Sequence, residues 1–307
     1  MAEGRAPANE LDERALMNSI LVTGSPGMLG SCLVPYLRSR GNEVVELSRT
    51  GQSSVHADLS DSGQVCAALD RIVPRSIVNL AALADVDACQ RTPQRAYVAN
   101  VRIVENLAAW IDARGKGCQL VHISTDQVYD GAGPHREDDV TLTNYYGFSK
   151  YAGELAAARV GATVLRTNFF GPSQCAGRAS LSDWLVKSLT ARDAVTVFDD
   201  ILFSPLVLRT LVEQIDRVIR EPRAGVFNLG SKQGMTKADF AFALAQILDL
   251  PTASISRGNS ESRKLTAYRP KDMRMDSTRF EQAYSVQLPT LREELHSLRA
   301  GHAHEAP

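Results

Sequence analysis

The feature that most constrains this chain is a short apolar run that breaks into glycines. Ser19-Ile20-Leu21-Val22-Thr23 leads directly into Gly24-Ser25-Pro26-Gly27-Met28-Leu29-Gly30, and Leu29, Leu33, Tyr36 and Leu37 then recur at helical spacing. A strand that ends on a tight turn and re-enters as a helix needs positions without a Cβ. Glycines at three-residue spacing meet that need, and they let main chain approach a pyrophosphate at the positive end of the helix. The turn predicts a dinucleotide site formed by Gly24, Ser25, Gly27, Met28, Leu29 and Gly30. Pro26 lacks an N–H, which leaves donation to Gly27, Met28 and Leu29. The competing reading is a turn that only reverses the chain.

The strand–helix rhythm continues. Glu43–Leu47, Ser76–Ala82, Gln119–Ser124 and Ala162–Arg166 read as strands, with helices near Gln64–Ile72, Pro93–Arg114 and Tyr146–Arg159. Such alternation predicts an α/β fold: a doubly wound parallel sheet of the Rossmann kind over residues 18–170. Beyond Pro172 the rhythm loosens. Helices are expected at Ser182–Thr190, Leu206–Arg220, Lys237–Leu248 (capped by Thr236) and Arg292–Leu298, and strands at Ala194–Phe198 and Val226–Leu229. Residues 171–307 therefore read mainly as a smaller substrate-binding lobe, with 200–230 returning to the sheet. Gly177–Ser182 reads as a loop that shapes a ligand site. Residues 1–17 read as a disordered tail, with Met17 as an alternative start.

Composition removes several classes. Lys plus Arg is 34 against 35 for Asp plus Glu, a net charge of -1, which argues against a nucleic-acid binder. No apolar run approaches the ~20 residues of a membrane span. The five cysteines are odd in number and form no CxxC pair, so neither a disulfide framework nor a zinc site is expected. The six histidines show no metal-ligand spacing, and a reducing, cytoplasmic setting fits.

Chemistry-bearing residues gather at the predicted strand ends. The second strand closes on Leu47-Ser48-Arg49, with no acid to accept ribose hydroxyls. Ser48 and Arg49 instead suit a 2′-phosphate, so NADPH is expected ahead of NADH; a solvated loop charge is the alternative for Arg49. Asp58 and Leu59 would flank the adenine, or Asp58 only builds a turn. Ala81 and Ala82 after Asn79-Leu80 let backbone meet the cofactor, and Asn100 either ties the sheet to the site or is a helix-surface amide. Tyr146 and Lys150 lie four apart on one helix face. A phenol titrates near pH ~10, and a nearby ammonium lowers that value, which suits proton transfer to a carbonyl oxygen. Thr125, at the end of Gln119–Ser124, is placed to hydrogen-bond the same oxygen, or else satisfies local backbone.

These segments together resemble the extended short-chain dehydrogenase/reductase superfamily: TGSPGMLG at 23–30, NLAA at 79–82, STDQVY at 124–129, YGFSK at 146–150 and NFFGP at 168–172. Within it the chain is most similar to the dTDP-4-dehydrorhamnose reductase family, through ADVD at 84–87 and RPKDMRMD at 269–276. The resemblance implies hydride transfer from NADPH to the C4 ketone of a nucleotide-linked 6-deoxysugar. Tyr146 is then the general acid, Lys150 its activator and ribose clamp, and Thr125 the third member. Asp126, Val128 and Tyr129 line the sugar pocket, with Asp85, Val86, Asn168 and Trp184 as further substrate residues. A homodimer is also in keeping with the resemblance.

The chain departs from that family at Gln127, where an aromatic is usual, and at Asn168-Phe169-Phe170, where Trp is frequent. Gln127 also separates it from sugar-nucleotide dehydratases, whose glutamate there takes a carbon-bound proton that an amide cannot accept. An NAD(P)-dependent epimerase and a non-catalytic NADP-binding subunit, resembling the regulatory subunit of methionine adenosyltransferase, stand as alternatives. Arg178 and Lys187, with Trp184, sit in the region for pyrophosphate and base contacts or are surface residues, Arg263, Arg269 and Arg274 are further unranked candidates, and Met273 and Met275 read as space-fillers.

Overall fold

The structure is a computed structural model that describes residues 19–49, 53–175 and 177–302; the expected tail over 1–17 lies outside them. β1 (Ile20–Thr23) is wholly buried and runs through the glycine turn into α1 (Met28–Ser39). β2 (Val44–Ser48) and a short β3 (Val55–His56) follow. The Asp61 carboxylate accepts from two N–H groups to cap α2 (Ser62–Ile72), and β4 is Ser76–Asn79. α3 (Val86–Arg91) and α4 (Pro93–Tyr97) lead through a π-helical turn, Val98–Arg102, into α5 (Ile103–Ala113). β5 (Gln119–Thr125) ends in a 3-10 turn, Asp126–Val128. α6 (Tyr145–Ala158), β6 (Thr163–Thr167) and β7 (Phe169–Phe170) complete this half.

The later chain contributes α7 (Leu181–Thr190), β8 (Val195–Phe198), β9 (Leu202–Phe203), β10 (Leu206–Val207) and α8 (Leu208–Arg220). After these come β11 (Gly225–Leu229), β12 (Met235–Thr236), α9 (Lys237–Ile247), β13 (Ile255–Gly258), α10 (Thr278–Tyr284) and α11 (Leu291–His302). Seven strands form one sheet in the order β11-β6-β5-β4-β1-β2-β3, with every pairing parallel. Strand order reverses between β1 and β4. That switch point opens a crevice at the carboxyl ends, above the glycine turn.

Each face of the sheet has its own core. One packs α1, the apolar stripe of α8 (Leu208, Leu211, Val212, Ile215, Val218, Ile219) and α10 against Val22, Val78, Val121 and Leu165. The other packs α2 and α5 against Leu21, Leu47, Ile77 and Leu120. A third core lies off the sheet, among α7, α9, α11 and the short strands, with Phe170, Phe203 and Phe240 in edge-on ring contacts. Among the described residues no helix is long and apolar enough to cross a membrane.

Two expected elements are modified. The single helix expected over Pro93–Arg114 carries the π turn, where the Asn100 carbonyl meets α6: a Cβ on Gly153 would stand 2.4 Å from it. The strand expected to reach Ala82 stops at Asn79, because the chain then crosses toward the glycine turn, with Leu80 N–H donating to Thr23 O at 3.3 Å.

Candidate active site

The glycine turn is built by close approach. Gly24 has φ +65°, and a Cβ there would lie 2.9 Å from Ala81 N; on Gly30 it would lie 2.3 Å from Ser25 O. Gly27 N–H donates to Gly24 O at 2.9 Å and caps α1. The turn thus nests against the Leu80–Ala81 main chain, beside half-buried Ala81 and exposed Ala82. These approaches exclude a side chain at Gly24 and Gly30 and shape a backbone cradle whose open position is Gly27, where a Cβ would meet only Gly24 O at 3.1 Å. Met28 is partly buried and Leu29 is 6% exposed in the core, so both present main chain here. At the end of β2, Ser48 Oγ lies 2.6 Å from Ser53 Oγ, which lies 3.3 Å from Ser25 Oγ. Arg49 stands exposed beside this hydroxyl chain. The Asp58 carboxyl is held below its ordinary value chiefly by the Ser60 N–H and hydroxyl, and less by Arg49.

One expected cofactor contact needs correcting, and the two readings of Asn100 are decided. Leu59 does not face the adenine region; its side chain is 4% exposed and packs in the core under α2 and α5. Asn100 is neither a surface amide nor open to a ligand. It is fully buried, accepts from Leu83 N–H at 2.7 Å, and donates to Leu83 O at 3.1 Å and to Ser149 Oγ at 2.9 Å. Its work is to tie the loop after β4 to α6.

α6 is aimed by its own start. The Asn144 side chain caps it through Gly147 N–H at 2.8 Å. A Cβ on Gly147 would lie 2.3 Å from Gln127 O, so only glycine lets the helix close on the turn after β5. That contact sets the Tyr146 phenol beside the Thr125 hydroxyl. Burial pushes the phenol up to about 12; Thr125 opposes the shift, and Asp126 and Cys89 add to it. Lys150 Nζ donates to Ile123 O at 2.6 Å, and burial pulls the ammonium down to about 8 against the pull of Glu154 and Cys89. The expected lowering of the Tyr146 phenol by Lys150 is therefore not what this arrangement gives. The ammonium turns to the β5 carbonyl, and burial decides the phenol, which stays protonated.

Asp126 lies next along the crevice and is buried. Asn168 Nδ2 donates to its Oδ2 at 2.6 Å and Thr125 Oγ1 to its Oδ1 at 3.3 Å, while burial pushes the carboxyl up to about 6. Lys237, the first residue of α9, faces this carboxyl from the third core. Beyond it Arg269 pairs with Asp87 through two bonds of 3.0 and 2.9 Å, and Ala267 N–H reaches the same carboxylate at 2.9 Å. Lys237 escaped the sequence reading, and Arg269 was one unranked arginine among several. The signal for Lys237 was present: a lysine directly after a helix cap, where acids are favoured.

Other substrate expectations fare unevenly. Asp85 is exposed and caps α3 through Ala88 N–H at 2.8 Å. Val86 packs with Leu83 against Cys89, Ala96 and Tyr146, at the wall of the site. Val128 and Tyr129 do not line a pocket, since both are 0% exposed. The Tyr129 hydroxyl donates to Asn228 Oδ1 and accepts from Arg166 NH1, both at 2.7 Å, and its ring stacks on His135. Trp184 projects from the outer side of α7 at 42% exposed, away from that helix's buried Leu185 and Leu189. Arg178 and Lys187 are also exposed. A cavity of about 470 Å³ opens at the opposite, amino-terminal end of β5 and β6 and is lined by none of the expected site residues.

Comparison with known proteins bears on this geometry. The family model described as RmlD substrate binding domain matches residues 17–302. A dTDP-4-dehydrorhamnose reductase from Streptomyces griseus is 30% identical over 86% of this chain and 87% of its own. Methionine adenosyltransferase 2 subunit beta from Pongo abelii is 29% identical over 85% of this chain and 81% of its own. The crystal structure of dTDP-4-dehydrorhamnose reductase from Bacillus anthracis str. Ames in complex with NADP superposes with a TM-score of 0.83 at 23% identity, covering 92% of this chain and 99% of that one.

Proposed function

The chain belongs to the RmlD substrate binding domain family, and on that premise we propose that it is an NADPH-dependent 4-ketoreductase of a nucleotide-linked, dTDP-type 4-keto-6-deoxysugar. The observation that carries the reading is the buried Tyr146 phenol set beside Thr125 at the carboxyl end of β5, in the same crevice as the Gly24–Gly30 cradle. When bound, NADPH supplies the hydride. Tyr146 gives its proton to the C4 oxygen as charge develops there, and Thr125 donates a second hydrogen bond to that oxygen. A phenol that stays protonated at neutral pH suits the reducing direction. Lys150 supplies a buried positive charge beneath the reacting centre, and Asp126 accepts from a sugar hydroxyl. Ser48, Ser53 and Arg49 suit a 2′-phosphate. Residues of the third core form the substrate lobe.

The test is NADPH oxidation by the purified protein with enzymatically made dTDP-4-keto-6-deoxyhexoses. The wild type oxidises NADPH, and Tyr146→Phe loses about 10²- to 10⁴-fold in rate while retaining cofactor binding. A second reading, a cofactor-binding subunit of a synthetase, draws support from the beta-subunit relative. No oxidation with any keto sugar, together with co-purification of a methionine adenosyltransferase, would favour it. The proposal includes a homodimer through the outer face of α6, where Phe148 and Leu155 are 52% and 58% exposed beside exposed Tyr97 and Val98.

A further inference from the structure

Lys237 stands where local electrostatics disfavour a cation. It opens α9 directly after the Thr236 cap, at the positive end of an eleven-residue helix. Its side chain is half-buried, and burial lowers the ammonium from its ordinary value. Among the described residues this ammonium makes no hydrogen bond or ion pair; its ring contact is Phe203, with the centroid 5.8 Å away. Asp126 favours the charge from beyond bonding distance, and Arg269 opposes it. Asp126 faces it but already accepts from Asn168 and Thr125, and Arg269 is held by Asp87. A lysine needed only for packing would not require a charged head in this place. Among the described residues its three donors have no protein acceptor.

The order of groups along the crevice indicates which part of a ligand reaches them. Thr125, beside Tyr146, bonds one oxygen of Asp126 and Asn168 holds the other, and the Lys237 charge acts on Asp126 but not on Tyr146. A hexose whose C4 ketone meets Tyr146 directs its C1 across the ring, away from that tyrosine, and its phosphate lies beyond C1. We propose that Lys237 binds the sugar-proximal phosphate of a nucleoside diphosphate sugar and so selects diphosphate-linked substrates. This deepens the ketoreductase reading and rests on it for the class of ligand.

The experiment measures binding, without turnover, of dTDP and of dTMP to the NADP-loaded protein by calorimetry. Lys237→Gln weakens dTDP about 10- to 100-fold, the scale of one charge-assisted hydrogen bond. It leaves dTMP, which lacks the second phosphate, within a few-fold of wild type. Lys237→Arg keeps the charge and retains most of the dTDP affinity. NADPH affinity is unchanged in both variants. Lys237→Gln that holds dTDP as tightly as wild type would overturn the proposal. So would Lys237→Arg losing as much as Lys237→Gln, or a parallel loss of NADPH binding. Failure to reduce any ketone would sink the ketoreductase reading but leave this binding difference measurable.

Discussion

At the scale of single residues, burial rather than pairing sets the chemistry. The Tyr146 phenol is pushed up to about 12 and the Lys150 ammonium down to about 8 because both lose water. Reduction needs the phenol protonated and, in this account, the lysine charged. The phenol meets its condition throughout the neutral range, whereas Lys150 loses its proton near pH 8. The rate of ketone reduction should therefore fall on the alkaline side with an apparent pKa of about 8, well below that of a free lysine. Lys150→Arg, which stays charged, should move that limb to higher pH. A pH–rate profile flat through about pH 10 in the wild type would remove Lys150 from the role.

At the scale of elements, glycines decide where segments meet. Gly24 bends β1 beneath the Leu80–Ala81 chain, and Gly147 lets α6 touch the turn after β5. Gly24→Ala adds a Cβ at 2.9 Å from backbone and strains a φ of +65°. It should cost about 1–3 kcal/mol of stability and weaken NADPH more than 10-fold, read by denaturation and cofactor titration; wild-type affinity in this variant would contradict the cradle. The glycine turn, the strands and the Tyr–Lys pair were legible from the sequence because each leaves a local periodicity or spacing. The π turn at Val98–Arg102 was not; it lies where the Asn100 carbonyl closes on Gly153, a contact between positions far apart in sequence. Tyr129 misled for a related reason. It sits in a motif beside Thr125, yet its hydroxyl is spent on Arg166 and Asn228, partners that only the folded sheet brings near. Lys237 likewise reaches Asp126 only through the third core.

At the scale of the whole molecule, the sheet and the third core are held together by buried polar contacts as well as by apolar packing. Arg166 is 2% exposed and joins Glu154 at 2.6 Å, Tyr129 and the Glu137 carbonyl, near the carboxyl end of β5. Glu294 on α11 reaches back to α8, accepting from Thr210 Oγ1 at 3.0 Å. Burial pushes its carboxyl from 4.5 up to about 7. The native state then holds a proton that the unfolded chain releases, so stability falls as pH rises from about 4.5 to 7. The loss approaches about 3 kcal/mol above that window. Glu294→Gln should remove this dependence and raise the melting temperature at pH 8 by several degrees, with little change near pH 4; equal melting temperatures at pH 8 would contradict it.

All of these features serve one claim, that the crevice delivers a hydride to a sugar ketone. The most direct measurement is a single turnover with NADPH deuterated at C4 of the nicotinamide and a dTDP-4-keto-6-deoxyhexose, with the sugar product read by mass spectrometry and NMR. The account predicts one deuterium, bound at C4 of the sugar, with Tyr146→Phe forming almost none. Deuterium absent from the product, or found at another carbon, would contradict it.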